Sequence, residues 1–511
     1  MIKEKINEWA KQSLGREDFN LTHPKDLSNG DYTLIVSDKT AEEDFGNLNK
    51  SQPEFISKIE LVKPRFINIY LSKEFFKESL GEIIKEGQDF GKSSHAKGFK
   101  VMVEHTQPNP FKKFHIGHLM NNAIGEAVSR IMKANGAEVK TASYHGDVGM
   151  HVAKALWKDD YVLGAKAFEE DPKAKAEIQE INKKIYEKSD PEINARYEEG
   201  KQRSLREFEG IYQRLGSKFD FNFFESESAG IGKEIVLENI GKIFEESDGA
   251  IVYKGEKVGL HTRVFLNSEK LPTYEAKEVG LAKIKKEKYN FDQSITVTAN
   301  EQDAFFKVVE VAIGEVFLEL KGKLTHLSHG MLRLPTGKMS SRTGDVITAE
   351  ELIESVKEKV KGDEAVAVGA IKYMILRQAI GNDIIFDIEK SVSTEGDSGV
   401  YLQYAYARTN SLLEKAEQKP DTKAPRENTH EVEKLLYRFP EIVERAGKEY
   451  APNYITTYLT ELASSFNNFY AHEQIIGDSP ESSYRLAITK AFNIVMRNGL
   501  TILGIPAPEK M

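Results

Sequence analysis

A chain of 511 residues with 40% hydrophobic and 30% charged residues is long enough for about three domains and has the balance of an ordinary soluble globular protein. Its formal net charge of −9 argues against a blanket nucleic-acid coat, and the absence of cysteine excludes disulfides and every cysteine-bound zinc or iron–sulfur site. No apolar run approaches a membrane span, and the opening "MIKEKINEWAKQSLG" lacks a signal-peptide core, so a cytoplasmic protein without membrane contact is expected.

The first element is an amphipathic helix carrying Ile2, Ile6, Trp9, Ala10 and Leu14 on one face. A strand-like "DYTLIV", the alternating "ISKIELVKPRFINIYLS" and a helix from Lys73 complete a small α/β unit over residues 1–95. "FKVMVEH" then reads as a buried strand running into "PNPFKKFHIGHLMNNAIG". After it, apolar residues fall at Ile116, Leu119, Met120, Ala123, Ile124, Ala127, Val128, Ile131 and Met132, with Gly136 as the stop. The motif thus lies where a strand hands over to a helix, the place at which α/β sheets hold phosphate.

"EVKTASYHGDVGMHVAKALW" repeats strand, loop and helix. From Lys158 the chain turns highly charged and helical, and an insertion over about 158–265 is expected in a parallel-sheet domain spanning 96–390. "SITVTANEQDAFFKVVEVAIGEVF" restores the alternation, and a Pro-Thr-Gly turn and basic Ser-rich loop follow. Thr348 and Glu351 have capping-box spacing at the start of the next helix. Strand signals vanish after about residue 390, so 391–511 reads as an all-α domain.

His115 and His118 admit three readings. Spacing i, i+3 could offer both imidazoles to a metal, with His105, His145 or His151 nearby, but no third ligand is signalled and no metal site is expected. Two half-buried helix histidines would leave the preceding strand, the Pro-Asn-Pro loop and the lysines unexplained. A phosphate site accounts for all of them: a helix N-terminus supplies unpaired N–H groups and partial positive charge. Gly117 lets backbone approach a ligand. The histidines donate hydrogen bonds, and Lys112 adds the charge that phosphoryl transfer requires. A solvated basic pair is the plainer reading of Lys112 and Lys113. The glycine spacing fits neither a P-loop nor a dinucleotide fingerprint.

"FHIGHL" together with "GKMSSRTGDV" resembles the two signatures of class I aminoacyl-tRNA synthetases, in order on a Rossmann-type domain. The resemblance to arginyl-tRNA synthetases covers nearly the whole chain, through "PNPFKKFHIGHL", "YHGDVG", "GLHTRVF", "LPTYEAKEVGLAKIK", "YLQYAYARTNSLLEK" and "LGIPAPEKM". It implies a catalytic domain with an inserted helical segment, an N-terminal domain that contacts the tRNA elbow, and an α-helical anticodon-binding domain. It further implies a monomer that joins L-arginine to tRNA(Arg) with ATP and Mg2+, without a bound metal or organic cofactor.

Carried onto this chain, the resemblance makes Lys112, His115, His118 and Lys338 catalytic. Pro108, Gly117, His118, Gly330, Met331, Lys338, Met339 and Ser340 would bind ATP. Glu104, Asn109, His118, Tyr274, Glu278 and Gln302 would bind arginine, and Tyr404 and Arg408 would meet tRNA. Arginine's planar fork asks for carboxylates and flat acceptors, and Tyr274 and Glu278 lie one helical turn apart. Taken without the resemblance, Tyr274 reads as a helix-face aromatic and Glu278 as a solvated charge. There are departures: Glu278 stands where the family usually has aspartate, Val148 replaces a tryptophan, and Ser341 stands in place of the second signature lysine. A ligase for another basic or polar amino acid such as lysine, and a non-catalytic tRNA- or partner-binding relative, are the alternatives.

Overall fold

The computed structural model describes residues 1–335, 347–426 and 428–511. Its centre is a five-stranded sheet in the spatial order Leu324–His329, Gln293–Ala299, Lys100–Glu104, Glu138–His145, Phe221–Phe224. Every neighbouring pair is parallel, with Thr296 opposite Glu104 and Glu104 opposite Ala142. The chain leaves Lys100–Glu104 toward one edge and later returns to build the other. The switch point between Lys100–Glu104 and Gln293–Ala299 therefore opens a crevice at the carboxyl ends of the strands.

The strand Phe221–Phe224 lies inside the stretch that the sequence reads as an insertion over 158–265. It is the edge strand of the central sheet, so the insertion divides in two: helices between 161 and 215 before it, and the small antiparallel sheet Glu245–Ser247, Ala250–Tyr253, Arg263–Leu266 after it. Four residues flanked by charged helices give too little alternation to register as a strand.

Residues 1–95 contain a four-stranded antiparallel sheet (Asn20–Thr22, Tyr32–Ile35, Phe66–Leu71, Ile56–Val62 in spatial order) over a core of Ile6, Trp9, Tyr32, Leu34, Ile67 and Phe76 that also takes in Tyr437. The expected helix from Lys73 runs to Glu86, started by Ser72, whose side chain accepts from the Phe75 amide at 3.2 Å. The Thr348 capping box also forms, with Glu351 N donating to Thr348 Oγ1 (3.1 Å) and Thr348 N to Glu351 Oε2 (2.8 Å).

Beyond 390 the chain is helical: Gly399–Lys415, Glu431–Leu436, Phe439–Glu449, Asn453–His472 and Ser482–Ile502. These helices do not pack as a separate body. One apolar cluster runs from Val101, Val103 and Leu119 through Ile371 and Tyr373 to Leu402, Leu459, Phe466, Phe492 and Leu503. Polar bolts cross the same seam. Buried Lys372 donates to Leu215 O (2.6 Å) and Gly504 O (2.7 Å), and Gln403 Nε2 donates to Ala365 O (3.1 Å) and Pro506 O (2.8 Å). Bonds donated by a charged group, as from Lys372, stabilise by roughly 1.5–3 kcal/mol each.

Candidate active site

A cleft of about 760 Å³ opens at the switch point, lined among others by Glu104, Asn109, His115, Gly117, His118, Tyr274, Glu278, Gln302, Gly330 and Met331. Of the residues singled out from the sequence, these are brought together. Lys338, Met339, Ser340 and Ser341 lie outside the described residues.

One end of the cleft is the start of the helix Ile116–Ala134, with His115 as N-cap. Gly117 N donates to His115 Nδ1 at 3.1 Å, while His115 N donates to His118 Nδ1 at 3.2 Å, a reciprocal capping box built from two imidazoles. The rings stack with centroids 3.7 Å apart and planes 17° apart. Burial, reinforced by the nearby Lys112 charge, holds His115 down at about 4. Burial and then the His115 ring push His118 well below its ordinary value. Both are neutral at pH 7. Since each Nδ1 accepts, each proton sits on Nε2, which is left to donate to a ligand. A Cβ on Gly117 would stand 3.0 Å from the His115 ring, so a larger residue there would press on the ring that caps the helix.

The other histidines weighed as metal partners are engaged with protein oxygens. His145 Nδ1 meets Pro108 O (2.7 Å), His151 Nε2 meets Gly146 O (2.8 Å) and His105 Nδ1 meets Thr106 Oγ1 (2.7 Å). Among the described residues no group of three His, Asp or Glu could hold a metal ion. Pro108 thereby fixes the loop through its carbonyl. Asn109 Oδ1 accepts from Gly146 N at 2.9 Å, and a Cβ on Gly146 would lie 2.7 Å from that oxygen and push the amide aside.

Lys112 sits behind this wall. Its ammonium lies over the Tyr161 ring, 5.2 Å from the centroid, and it is absent from the cleft lining. Its charge still bears on His115, His118 and His151, and burial and then Lys154 lower its own pKa.

The opposite end is acidic. Glu104 Oε1 accepts from Gln107 Nε2 (2.6 Å) and its other oxygen pairs with Lys285, so it is compensated within the protein. Glu278 has no hydrogen-bond or ion-pair partner among the described residues. Burial, then repulsion from Glu104, pushes its carboxyl up to about 8. A cation delivered by a ligand would relieve both effects. Tyr274 opens the helix Tyr274–Lys288 at the cleft rim, 65% exposed, and Gln302 is likewise exposed, so both form a mouth rather than a closed pocket. Gly330 packs on the Asn382 carbonyl, where a Cβ would come within 2.3 Å, and the Met331 amide donates to Asp383 Oδ1 at 2.8 Å.

Sequence reading missed several cleft residues. Lys277 forms a buried ion pair with Glu225 at 2.6 Å, and Arg263 faces Glu275 at 3.5 Å. Behind the cleft wall, outside its lining, fully buried Asp147 accepts from Tyr197 OH (2.8 Å), Lys201 Nζ (2.7 Å), Ser226 N (2.9 Å) and Ser226 Oγ (2.7 Å). Its place in "YHGDVG" was a signal, but Glu225 and Lys201 lie too far along the chain to be paired from the sequence.

Away from the cleft, Tyr404 and Arg408 share one face of Gly399–Lys415. Tyr404 is 45% exposed, and the Arg408 guanidinium lies 3.9 Å from the Tyr470 ring centroid. No described helix is long and apolar enough to cross a membrane.

Comparison with known proteins extends along the chain. The model of the catalytic domain of class I (R) tRNA synthetases matches residues 79–206 and 157–388, and that of the DALR anticodon binding domain matches 402–511. The arginine–tRNA ligase of Treponema denticola is 32% identical, with 87% of this chain and 85% of that protein aligned. That of Streptococcus mutans serotype c is 32% identical over 92% of this chain and 90% of its own. Thermus thermophilus arginyl-tRNA synthetase superposes over 100% of both chains with a TM-score of 0.77 at 24% identity. The Plasmodium falciparum enzyme reaches 0.79 at 20% identity, covering 100% of this chain and 99% of its own. At those identities the two structures speak for a shared fold.

Proposed function

The chain belongs to the class I arginine–tRNA ligase family, and from that premise we propose that the cleft activates L-arginine with ATP-Mg2+ and passes it to the terminal adenosine of tRNA(Arg). The observation that carries this reading is the polarity of one cleft: two neutral Nε2–H donors at a helix N-terminus at one end, an uncompensated carboxyl at the other.

Arginine's guanidinium enters toward Glu278, with Tyr274 and Gln302 at the mouth, and meets the carboxylate as a flat, charge-assisted pair. Asn109 and Glu104 border its α-amino and carboxylate end. An arginine carboxylate oxygen attacks the α-phosphorus of ATP, the bond to the β-phosphate breaks, and pyrophosphate leaves with Mg2+. His115 and His118 donate to oxygens that gain charge in that transition state, with the helix N-terminus behind them. Lys338 and Lys112 supply the cationic charge. Gly117 borders the phosphates, with Pro108 holding the loop behind it through His145, Gly330 and Met331 receive adenine, and Met339 and Ser340 are assigned to ATP by family resemblance alone. A terminal ribose hydroxyl of the tRNA, the 2′ one by family analogy, then attacks the adenylate carbonyl and AMP departs.

In this reading residues 1–95 contact the tRNA elbow, 96–390 catalyse, and 391–511 bind the anticodon through a face that includes Tyr404 and Arg408. The enzyme acts as a cytoplasmic monomer, and light scattering of the purified protein tests the assembly state. Aminoacylation of total tRNA with a panel of amino acids tests the function itself. Arginine alone should charge; charging with lysine, or with none, overturns the reading.

A further inference from the structure

The loop that leads into His115 is bent where side-chain-bearing residues resist bending: Thr106, Gln107 and Phe111 have φ of 74°, 50° and 66°. For a bulky residue such as Phe111 this conformation persists only when the surroundings enforce it. The enforcing element is the inserted helix Pro191–Leu215. Gly200 leaves a notch in it, and the Phe111 ring fills that notch so closely that a Cβ on Gly200 would come within 2.3 Å of Phe111 Cε1. The Phe111 amide donates to Ser204 Oγ at 3.0 Å, and its ring stacks on Tyr197 with centroids 6.2 Å apart.

The same helical face continues along the loop. Phe208 and Tyr212 each place a ring 6.1 Å from that of Phe114, which packs edge-on against His118 at 5.2 Å. Tyr197 and Lys201, flanking the notch, hold Asp147 of the neighbouring Gly-Asp loop. One stripe of an inserted helix, from Tyr197 through Gly200, Lys201, Ser204 and Phe208, thus grips both loops that frame the phosphate end of the cleft.

We propose that the Gly200 notch and Phe111 are positioning residues for adenylate formation, seating the loop that carries Lys112 and His115 against the phosphates. The proposal rests on the adenylate-forming reading of the cleft. Because Phe111 lies at the phosphate end, its displacement should slow the chemical step and spare the recognition of arginine.

Single-turnover formation of arginyl-adenylate, with ATP and tRNA present, provides the test. Gly200→Ala gives the helix a better helix former while driving Phe111 out of its notch. The rate should fall at least about tenfold with the arginine KM unchanged within about twofold, as expected for an interaction realised in the transition state. Phe111→Ala should lose a similar factor. The double variant should be no worse than Phe111→Ala alone, since the new Cβ then has no ring to displace; it also shows that the added methyl group is compatible with a folded protein. A full rate in Gly200→Ala, an equal rise in arginine KM, or losses that multiply in the double variant would each overturn the proposal. Wild-type protein that forms no arginyl-adenylate would overturn instead the functional reading beneath it.

Discussion

Arginine binding should be linked to release of a proton from Glu278. In the free cleft burial and the Glu104 carboxylate hold Glu278 up at about 8, so below that pH it is mostly the neutral acid. A guanidinium seated against it favours the carboxylate and pulls the value down, so binding proceeds from the ionised fraction or expels the proton. With a free-state value of about 8, the ionised form is the minor one at pH 6.5 and 7 and rises steeply toward pH 8. The arginine Kd should therefore tighten by roughly an order of magnitude between pH 6.5 and 8, with a proton released as arginine binds near pH 7. The sign is set by the raised value: affinity is lost as pH falls below it. Isothermal titration of arginine in buffers of differing ionisation enthalpy reads both quantities. Glu278→Gln keeps the shape and removes the titration; it should bind arginine about 10- to 100-fold more weakly with a flat profile, the scale of one charge-assisted bond. A wild-type Kd that does not change between pH 6.5 and 8 would refute the argument.

If Lys112 acts on charge that develops in the transition state, as proposed, Lys112→Ala should slow adenylate formation by about 10- to 100-fold with little change in ATP KM; a loss under about threefold in single-turnover assays would remove it from the machinery. Asp147→Asn leaves Lys201, 12% exposed, without its anionic partner, and should cost about 3–5 kcal/mol of stability in denaturant unfolding. Removing residues 399–511 should yield a product with no cooperative melting transition, because Ile371, Tyr373 and their neighbours lose the helices that cover them; a soluble, cooperatively melting truncation would show the shared core to be dispensable.

That last expectation marks where sequence and structure part. The boundary near 391 is visible as a loss of strand signal, but nothing in local pattern says that Lys372 and Gln403 will bolt across it or that one core will span both sides. The strand–loop–helix around 100–134 was legible because period-2 and period-3.6 patterns meet at a loop of prolines and lysines. Glu104, Asn109, Glu278 and Gly330 do converge, as a switch-point sheet requires. The pairing of Glu225 with Lys277 was not legible, since contacts between distant segments leave no trace in either segment. Lys112 could be read as a cation near His115, but not as one resting on Tyr161 from the inserted helices. The imidazole cap was hidden for a different reason: Ser, Thr, Asp and Asn are the residues expected to start a helix, and histidine is not among them.

The imidazole cap has a consequence for how the enzyme becomes competent. The two hydrogen bonds that begin the helix Ile116–Ala134 are also those that assign each ring its tautomer and aim its Nε2 proton outward. Helix start and donor alignment are thus tied together: the bonds that cap the first turn are the ones that orient both imidazoles. A substitution that frays the first turn should therefore turn both Nε2–H groups away from the cleft as well, and a ligand that engages those donors should stiffen the turn that presents them.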